Sequence, residues 1–229
     1  MKTIGMIGGM SWESTVTYYR LINETVKKEL GGFHSAKILL YSVDFAEIEE
    51  YQVKGEWDRS AGVLSEAAMR LEQAGADYLL ICTNTMHKVA PQIQANIGIP
   101  IVHIADAAAD ALLAAGIKKA ALLGTKYTMT QDFYKDRLIS RGIAVLTPNA
   151  PDIELVNRVI YDELCLGVIS DASRAGYRRI LDHLKLAGAE GVVLGCTEIG
   201  LLIHQKDTTL QVFDTTEIHA RKAALLAVQ

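Results

Sequence analysis

The chain has 229 residues, of which 50% are hydrophobic and 22% are charged, and its formal net charge is −4. This composition is typical of a folded globular protein, and the mildly acidic balance argues against a broadly basic surface that binds nucleic acid. No apolar stretch approaches the roughly 18–20 residues that span a bilayer, so we expect neither a membrane anchor nor a signal peptide.

The chain contains three widely spaced cysteines, Cys82, Cys165 and Cys196. An odd and low count argues against a disulfide framework and favours a reducing compartment. We therefore expect a cytoplasmic protein. Close ligand spacing such as Cys-x-x-Cys is absent, so we predict no metal site.

Short apolar runs alternate with longer amphipathic segments along the whole chain. In chain order, the predicted strands cover residues 2–8, 36–45, 77–84, 99–104, 119–125, 144–148, 190–199 and the start of 209–228. The predicted helices cover residues 11–31, 59–76, 87–98, 106–117, 128–143, 151–167, 170–189 and the rest of 209–228. Strands separated by helical crossovers predict an α/β fold with parallel sheets that are covered on both faces.

The pattern of loops repeats in the two halves of the chain. In each half an early strand ends in a loop of small residues, and a later strand ends in a loop rich in thiol, hydroxyl or amide groups. These loops are Gly8–Gly9 and Thr83–Thr85 in the first half, and Gly124–Thr125 and Cys196–Glu198 in the second half.

This repetition predicts two similar parallel-sheet α/β domains related by a pseudo-two-fold axis. We expect the first domain to comprise residues 1–102 and 209–229, with a returning C-terminal helix, and the second to comprise residues 103–208. Parallel sheets bind ligands at the carboxyl ends of their strands, so we predict the active site in the cleft between the domains.

The first glycine loop resembles a phosphate-binding turn, but it lacks both the Gly-x-Gly-x-x-Gly pattern and the Walker lysine. A tight strand-to-helix turn explains the glycines without a ligand. We expect in addition that Gly9, Met10 and Ser11 offer backbone amides to a carboxylate.

Polar side chains at the other strand ends suit the same kind of ligand, because amide and hydroxyl groups hydrogen-bond carboxylates. The candidate substrate-binding residues of these loops are Asn84, Thr85, Thr125, Thr128 and Thr197. For the two threonines near residue 125, an ordinary helix cap is the alternative.

Two further residues are candidates for proton transfer. Glu198, close to Cys196, is expected to orient a substrate ammonium or to assist proton transfer, with a helix-start acid as the alternative. His87 lies within one turn of Thr83 and is a supporting candidate. A histidine at a helix start with satisfied hydrogen bonds is the alternative for it.

Several stretches together resemble the aspartate/glutamate racemase family, and within it the aspartate racemase branch. In chain order they read "IGMIGGMSWEST", "CTNTMHK", "LLGTKYTM", "VIYDELCLG", "VLGCTEIGLLI" and "VFDTTEIHA". The resemblance implies an amino-acid racemase that interconverts L- and D-enantiomers without pyridoxal phosphate or any other cofactor. Two acid/base groups then act on opposite faces of the α-carbon. The resemblance also implies a small amino-acid substrate and a homodimer.

The first thiol motif departs from that family. The family places cysteine directly before Asn-Thr, whereas here Thr83 holds this position and Cys82 lies one residue earlier. Adjacent side chains of a strand point to opposite faces, so we expect Cys82 in the packing and Thr83 at the catalytic position. Cys196 is then the principal acid/base, and we expect helix termini and nearby donors to lower its pKa. We predict a racemase with an asymmetric Thr/Cys pair.

The residues that select the substrate also depart from the family. Aspartate racemases carry an arginine after the second strand and a lysine in the segment matching "YDELCLG". Here the first region is acidic and the second has Cys165 and Leu166. Lys54, Lys126 or Arg59 are possible replacements. Aspartate or glutamate therefore competes with a broader range of amino acids as the substrate.

Two alternatives to a racemase stay open. One is a related superfamily enzyme that performs carbanion chemistry between two such loops, such as a maleate isomerase or an arylmalonate decarboxylase. The other is a carboxylate-binding protein that has lost catalysis together with its first thiol.

Overall fold

The protein is described here by a computed structural model that covers residues 1–229. The chain divides into two compact units: Met1–Ile104 with His219–Gln229, and Ala105–Ile218. Each unit contains one all-parallel sheet, which confirms the predicted α/β class. No helix combines the length and apolarity needed to cross a bilayer.

The first unit contains a three-stranded sheet of order β2-β1-β3. Its elements are β1 (Thr3–Gly8), α1 (Trp12–Leu30), β2 (Lys37–Ser42), α2 (Phe45–Lys54), α3 (Trp57–Gln73), β3 (Tyr78–Ile81), a 3₁₀ turn (Thr85–Val89) and α4 (Ala90–Gln94). The chain enters the second unit at the start of α5 (Ile104–Ala114).

The second unit contains a four-stranded sheet of order β5-β4-β6-β7. Its further elements are β4 (Lys119–Gly124), α6 (Lys126–Thr130), α7 (Asp132–Ile139), β5 (Ala144–Leu146), α8 (Ala150–Asp162), a 3₁₀ turn (Leu164–Leu166), α9 (Asp171–Leu186), β6 (Gly191–Gly195), α10 (Ile199–Leu202), a 3₁₀ turn (Gln205–Asp207) and β7 (Gln211–Asp214). Helix α11 (Thr215–Val228) begins in this unit and continues in the first.

The structure differs from the predicted elements in several places; one is after β6, where the strand predicted to reach residue 199 ends at Gly195 and α10 follows. Residues 45–54 form a helix, because Asp44 caps α2 by accepting the N–H of Ala46, and the second strand already ends at Ser42. Residues 99–104 contribute only an isolated bridge between Leu79 and Ile101. The last strand pairs with β6, so the chain returns to the first unit at His219 rather than at residue 209.

Alternation along β3 sends its side chains to two separate cores. Tyr78, Leu80 and Cys82 pack with α1 and with the alanine-rich face of α11. Leu79 and Ile81 pack on the other face, with α3 and α4. The Cys82 side chain is fully buried in the first of these cores.

Strand β6 follows the same rule in the second sheet. Val192, Leu194 and Cys196 lie on the face that packs against α8 and α9. Cys196 is the last of this series and stands one residue beyond the strand. The thiol of Cys196 therefore lies where the core meets the strand-end loop.

A buried histidine fixes α11 to the first unit. The Nε2–H of His219 donates to the carbonyl of Val102 at 2.7 Å, and its Nδ1 accepts from the hydroxyl of Tyr18 at 2.9 Å. The ring is fully buried, and this burial lowers its pKa from 6.5 to about 4. The acceptor role of Nδ1 requires the neutral ring.

Acid should destabilise the protein through His219. The folded state resists protonation down to about pH 4, whereas the unfolded histidine takes up its proton near pH 6.5. Stability is therefore complete above pH 6.5 and falls as the pH falls toward 4, by about 3 kcal/mol from this group. Urea unfolding measured between pH 7 and pH 4 tests this. His219→Gln should flatten the pH dependence by that amount, and the exposed His34→Gln should leave it unchanged. An equal slope in His219→Gln and the wild type would contradict the assignment.

Candidate active site

The first glycine loop is shaped by close backbone packing. Gly9 has φ +90°, and a Cβ there would lie 2.3 Å from the carbonyl oxygen of Val43, so only glycine fits. Ser11 caps α1, since its Oγ accepts the N–H of Ser14 at 3.3 Å. The side chain of Met10 is buried in the core beside α3, so Met10 can offer a ligand only its backbone groups.

The sheet registers identify which residue of the first unit corresponds to Cys196. Strand β4 ends at Gly124, which pairs with Gly195, the residue directly before Cys196. Strand β1 ends at Gly8, and the register of β1 with β3 places Gly8 level with Cys82. One position further along the chain is Thr83. Thr83 is therefore the positional counterpart of Cys196.

Cys82 is enclosed by apolar side chains of α1 and α11. Burial raises the pKa of its thiol far above the ordinary value. Thr83, by contrast, is half-buried at the strand end. The first unit thus presents a hydroxyl, not a thiol, at this position.

The remaining polar candidates of the first unit gather around Thr83. Asn84 and Thr85 are buried at the start of the 3₁₀ turn, with exposed fractions of 2% and 5%. The ring of His87 contacts the carbonyl oxygen of Thr83 through Nδ1 at 2.8 Å. The hydroxyl of Ser14, in the first turn of α1, reaches the carbonyl of residue 82 at 3.5 Å. The glycine loop and the Thr83 loop are thereby adjacent.

Thr125 and Thr128 form the corresponding turn of the second unit. The Oγ1 of Thr125 accepts the N–H of Thr128 at 3.3 Å and lies 3.2 Å from its hydroxyl. These contacts are those of a helix cap, so the capping role expected as the alternative is present. Thr128 also packs on Gly195, because its Cγ2 would lie 3.2 Å from a Cβ there. The pair therefore adjoins the Cys196 loop.

Cys196, Thr197 and Glu198 form a compact hydrogen-bonded group. The Cys196 thiol donates to Oε2 of Glu198 at 3.0 Å, and the Thr197 hydroxyl donates to the same oxygen at 2.6 Å. Cys196 and Glu198 are 9% and 7% exposed. The side chain of Glu198 therefore turns back onto the thiol instead of extending into solvent.

The electrostatics of Cys196 differ from the prediction. Burial, then the charge of Glu198, then the nearby Cys165 raise the pKa of the Cys196 thiol well above its ordinary value. The expected lowering by helix termini and donors is not present. The resting group is therefore a protonated thiol whose proton already points at a carboxylate oxygen.

Sequence reasoning missed two neighbours of this thiol. Cys165, in the 3₁₀ turn after α8, packs on the core that contains Cys196. Tyr177 of α9 is fully buried there, and this burial raises the pKa of its hydroxyl. Neither residue carries a local sequence signal, because only the packing of the helices on β6 brings them close.

The three cations considered as replacements for the family's arginine and lysine are engaged elsewhere. Lys54 pairs with Glu50 on α2, and Arg59 pairs with Glu56 at 2.9 Å. Lys126 pairs with Glu154 at 2.5 Å. All three side chains are more than half exposed.

The side chains of the chain form no candidate metal site. No group of three His, Cys, Asp or Glu side chains is placed to hold a metal ion. All three cysteines are free thiols.

Several known proteins that are similar to the chain are described as racemases or racemase homologues. A protein from Yersinia pestis assigned to the Asp/Glu racemases is 56% identical, with a TM-score of 0.95 and full coverage of both chains. An aspartate racemase homologue from Pyrococcus horikoshii OT3 is 39% identical, with a TM-score of 0.87 and full coverage of both chains. The broad specificity amino-acid racemase RacX of Bacillus subtilis is 24% identical over 146 residues, which is 62% of this chain and 63% of RacX.

The aspartate racemase of Picrophilus torridus, at 22% identity and a TM-score of 0.78, shares the fold. The family model described as Asp/Glu/Hydantoin racemase matches residues 7–223, nearly the whole chain. The two strand-end loops around Thr83 and Cys196 lie within this match. The chain therefore belongs to the Asp/Glu/Hydantoin racemase family.

Proposed function

We propose that the protein is an amino-acid racemase that works without pyridoxal phosphate, with Cys196 and Thr83 acting on opposite faces of the substrate α-carbon. The observation that carries the proposal is the hydrogen bond from the Cys196 thiol to Glu198, at the end of a parallel strand. Thr83 at the counterpart position of the first unit supports the second half of it.

Glu198 supplies the proton acceptor that the buried thiol of Cys196 needs in order to act as a base. The α-proton of an amino acid is a very weak acid, so a base of useful strength and stabilisation of the carbanion are both needed. We assign to Glu198 the acceptance of the thiol proton as substrate binds, which leaves a Cys196 thiolate. The thiolate takes the α-proton, and the hydroxyl of Thr83 donates a proton to the other face. Glu198 then releases the proton that it took from Cys196 and Thr83 regains one, both through water, which restores the starting protonation of all three groups.

The carbanion is stabilised through the substrate carboxylate. Donors that hydrogen-bond this carboxylate favour its enediolate-like form. We assign this task to Asn84 and Thr85 and to the backbone amides of Gly9–Ser11. Thr125, Thr128 and Thr197 complete the substrate-binding set. The contacts within the Thr125–Thr128 cap support a role as scaffold as well.

We assign a broad range of amino acids to the site, with neutral side chains ahead of aspartate and glutamate. The absence of the two family cations supports this range, and Cys165 stands in the segment where the lysine is expected. The replacement cations are paired with surface glutamates. Lys88, next to the Thr83 loop, lies over the ring of Trp57 at 3.8 Å. The name of RacX, a broad specificity racemase, agrees with this range.

Location and assembly complete the proposal. The three free cysteines support a reducing compartment, and we place the reaction in the cytoplasm. The homodimer rests on the family resemblance alone.

Exchange of the α-hydrogen in heavy water tests the reaction. Across a panel of the twenty amino acids, substrates should take up solvent deuterium at the α-carbon and the chiral ones should lose optical rotation, most strongly those with neutral side chains. Cys196→Ser should lower the rate by about 10²–10⁴-fold, because it removes the acid/base thiol. Cys82→Ala serves as the matched control and should retain activity, since its thiol lies in the core.

The alternatives give different results in the same experiment. If none of the amino acids exchanged its α-hydrogen, the racemase proposal would be ruled out and a carboxylate-binding protein would be favoured. Turnover of maleate or an arylmalonate without exchange would favour the related superfamily enzymes. Activity lost in Cys82→Ala but kept in Cys196→Ser would reverse the assignment of the two cysteines.

The chemical difference between the Thr83 hydroxyl and the Cys196 thiol should also affect the steady-state kinetics. Enantiomers have equal free energy in water, so kcat/KM must match in the two directions, whereas kcat and KM separately can differ. We expect unequal kcat values for L- and D-substrate in the wild type, measured by polarimetry. Thr83→Cys should bring the two values closer together. Equal kcat and equal KM in the wild type would contradict the asymmetric pair.

The effect of Glu198 on the thiol can be measured without any substrate. In a Cys165→Ala background, alkylation of Cys196 by iodoacetamide followed by mass spectrometry reports its thiolate fraction. Glu198→Gln removes a negative charge that raises the pKa of this thiol, so alkylation at pH 8 should become several-fold faster. Glu154→Gln, a surface change in the same unit, is the matched control. An unchanged rate would show that Glu198 does not control the thiol, and a slower rate would contradict the assignment that its charge holds the thiol protonated.

A further inference from the structure

Three histidines of the first unit form a buried cluster that the proposed chemistry does not use. His87, His103 and His219 are 1%, 7% and 0% exposed. The ring of His87 lies 4.4 Å from that of His103 and 5.8 Å from that of His219, centroid to centroid. The three come from the turn after Thr83, the segment before α5, and α11.

The hydrogen bonds of His87 fix its tautomer. A carbonyl oxygen only accepts, so the 2.8 Å contact of Nδ1 with the carbonyl of Thr83 requires a hydrogen on Nδ1. The Nε2 atom then carries a lone pair, and it accepts the N–H of Ile104 at 3.2 Å. Both ring nitrogens are engaged with the backbone. His87 therefore cannot pass a proton to the Thr83 hydroxyl without breaking one of these bonds.

A second histidine holds the same segment from the other side. His219 donates to the carbonyl of Val102 and accepts from the hydroxyl of Tyr18. Val102 lies two residues before Ile104, whose N–H His87 accepts. Hydrogen bonds thus run from α1 through His219 to residues 102–104, and from these residues through His87 to Thr83. The position of the Thr83 backbone depends on a network that ends in the packed core.

We infer that His87 is a positioning residue for Thr83, held as the neutral Nδ1–H tautomer by the backbone of Ile104. Its ring sets the direction of the Thr83 carbonyl and thereby the direction in which the hydroxyl of the same residue meets the substrate. The inference rests on the proposed function, in which Thr83 is the second acid/base group. The titratable groups facing the network are Tyr18, His103, His219 and Lys222.

The expected signature is a separation of exchange from racemisation. Cys196 can remove an α-proton and, after the thiol has exchanged with solvent, return a deuteron to the same face. That reaction does not need Thr83, whereas racemisation does. A misplaced Thr83 should therefore slow racemisation more than it slows exchange with retention, and a general loss of stability should slow both equally.

Two variants of His87 make the test specific. His87→Leu removes the donor to Thr83 and should lower kcat for racemisation by about 10- to 100-fold with little change in KM. It should also raise the ratio of exchange with retention to racemisation. His87→Asn keeps a side-chain N–H near the Nδ1 position and should recover most of kcat. His34→Gln, an exposed change in the same unit, should alter neither quantity.

The outcomes separate this inference from the racemase proposal. If the wild type exchanges no amino acid, the proposed function fails. If the wild type racemises and His87→Leu lowers exchange and racemisation in equal proportion, or lowers neither, the positioning role is overturned. Nitrogen-15 NMR of the wild-type imidazoles tests the tautomer even if His87→Leu does not fold. A proton on Nδ1 of His87 supports the inference, and a proton on Nε2 overturns it.

Discussion

A buried thiol that donates its proton to a carboxylate is the interaction on which the account of this protein depends. Burial and the charge of Glu198 both oppose ionisation of Cys196, so the free protein holds a protonated thiol beside a ready acceptor. A permanently ionised thiolate in this position would be costly, because it would place two negative charges together in a poorly solvated site. We propose that the base forms only when a substrate with its ammonium group is present.

The same local arrangement of strands positions Cys196 with Glu198 in one unit and Thr83 in the other. A parallel strand ends beside a glycine of its neighbour, and the next residue stands at the boundary between core and loop. The residue at that boundary is a thiol in one unit and a hydroxyl in the other. Their chemistry therefore differs although their positions correspond, and the histidine network of the first unit adds a support that we assign to the hydroxyl side.

The fold class and the candidate loops could be predicted because their signals are local. Apolar periodicity predicts the parallel strands, and alternation along β3 predicts that Cys82 lies in the core, where it is found. The helix at residues 45–54 was missed because Asp44 can end a strand or cap a helix equally well. The raised pKa of Cys196 and the roles of Cys165 and His219 depend on burial by distant segments, which no local pattern contains.

The central claim is that two different groups act on the two faces of the α-carbon. The most direct measurement starts from a single enantiomer of a good substrate in heavy water and follows both enantiomers by mass spectrometry during the first tenth or so of the reaction. In a two-group mechanism the proton that leaves and the proton that returns come from different groups. The account predicts that product carries deuterium from the first turnovers, while deuterium enters recovered substrate more slowly, by return from Cys196 to the same face. Deuterium entering recovered substrate as fast as product would show that one group serves both faces, and would contradict the account.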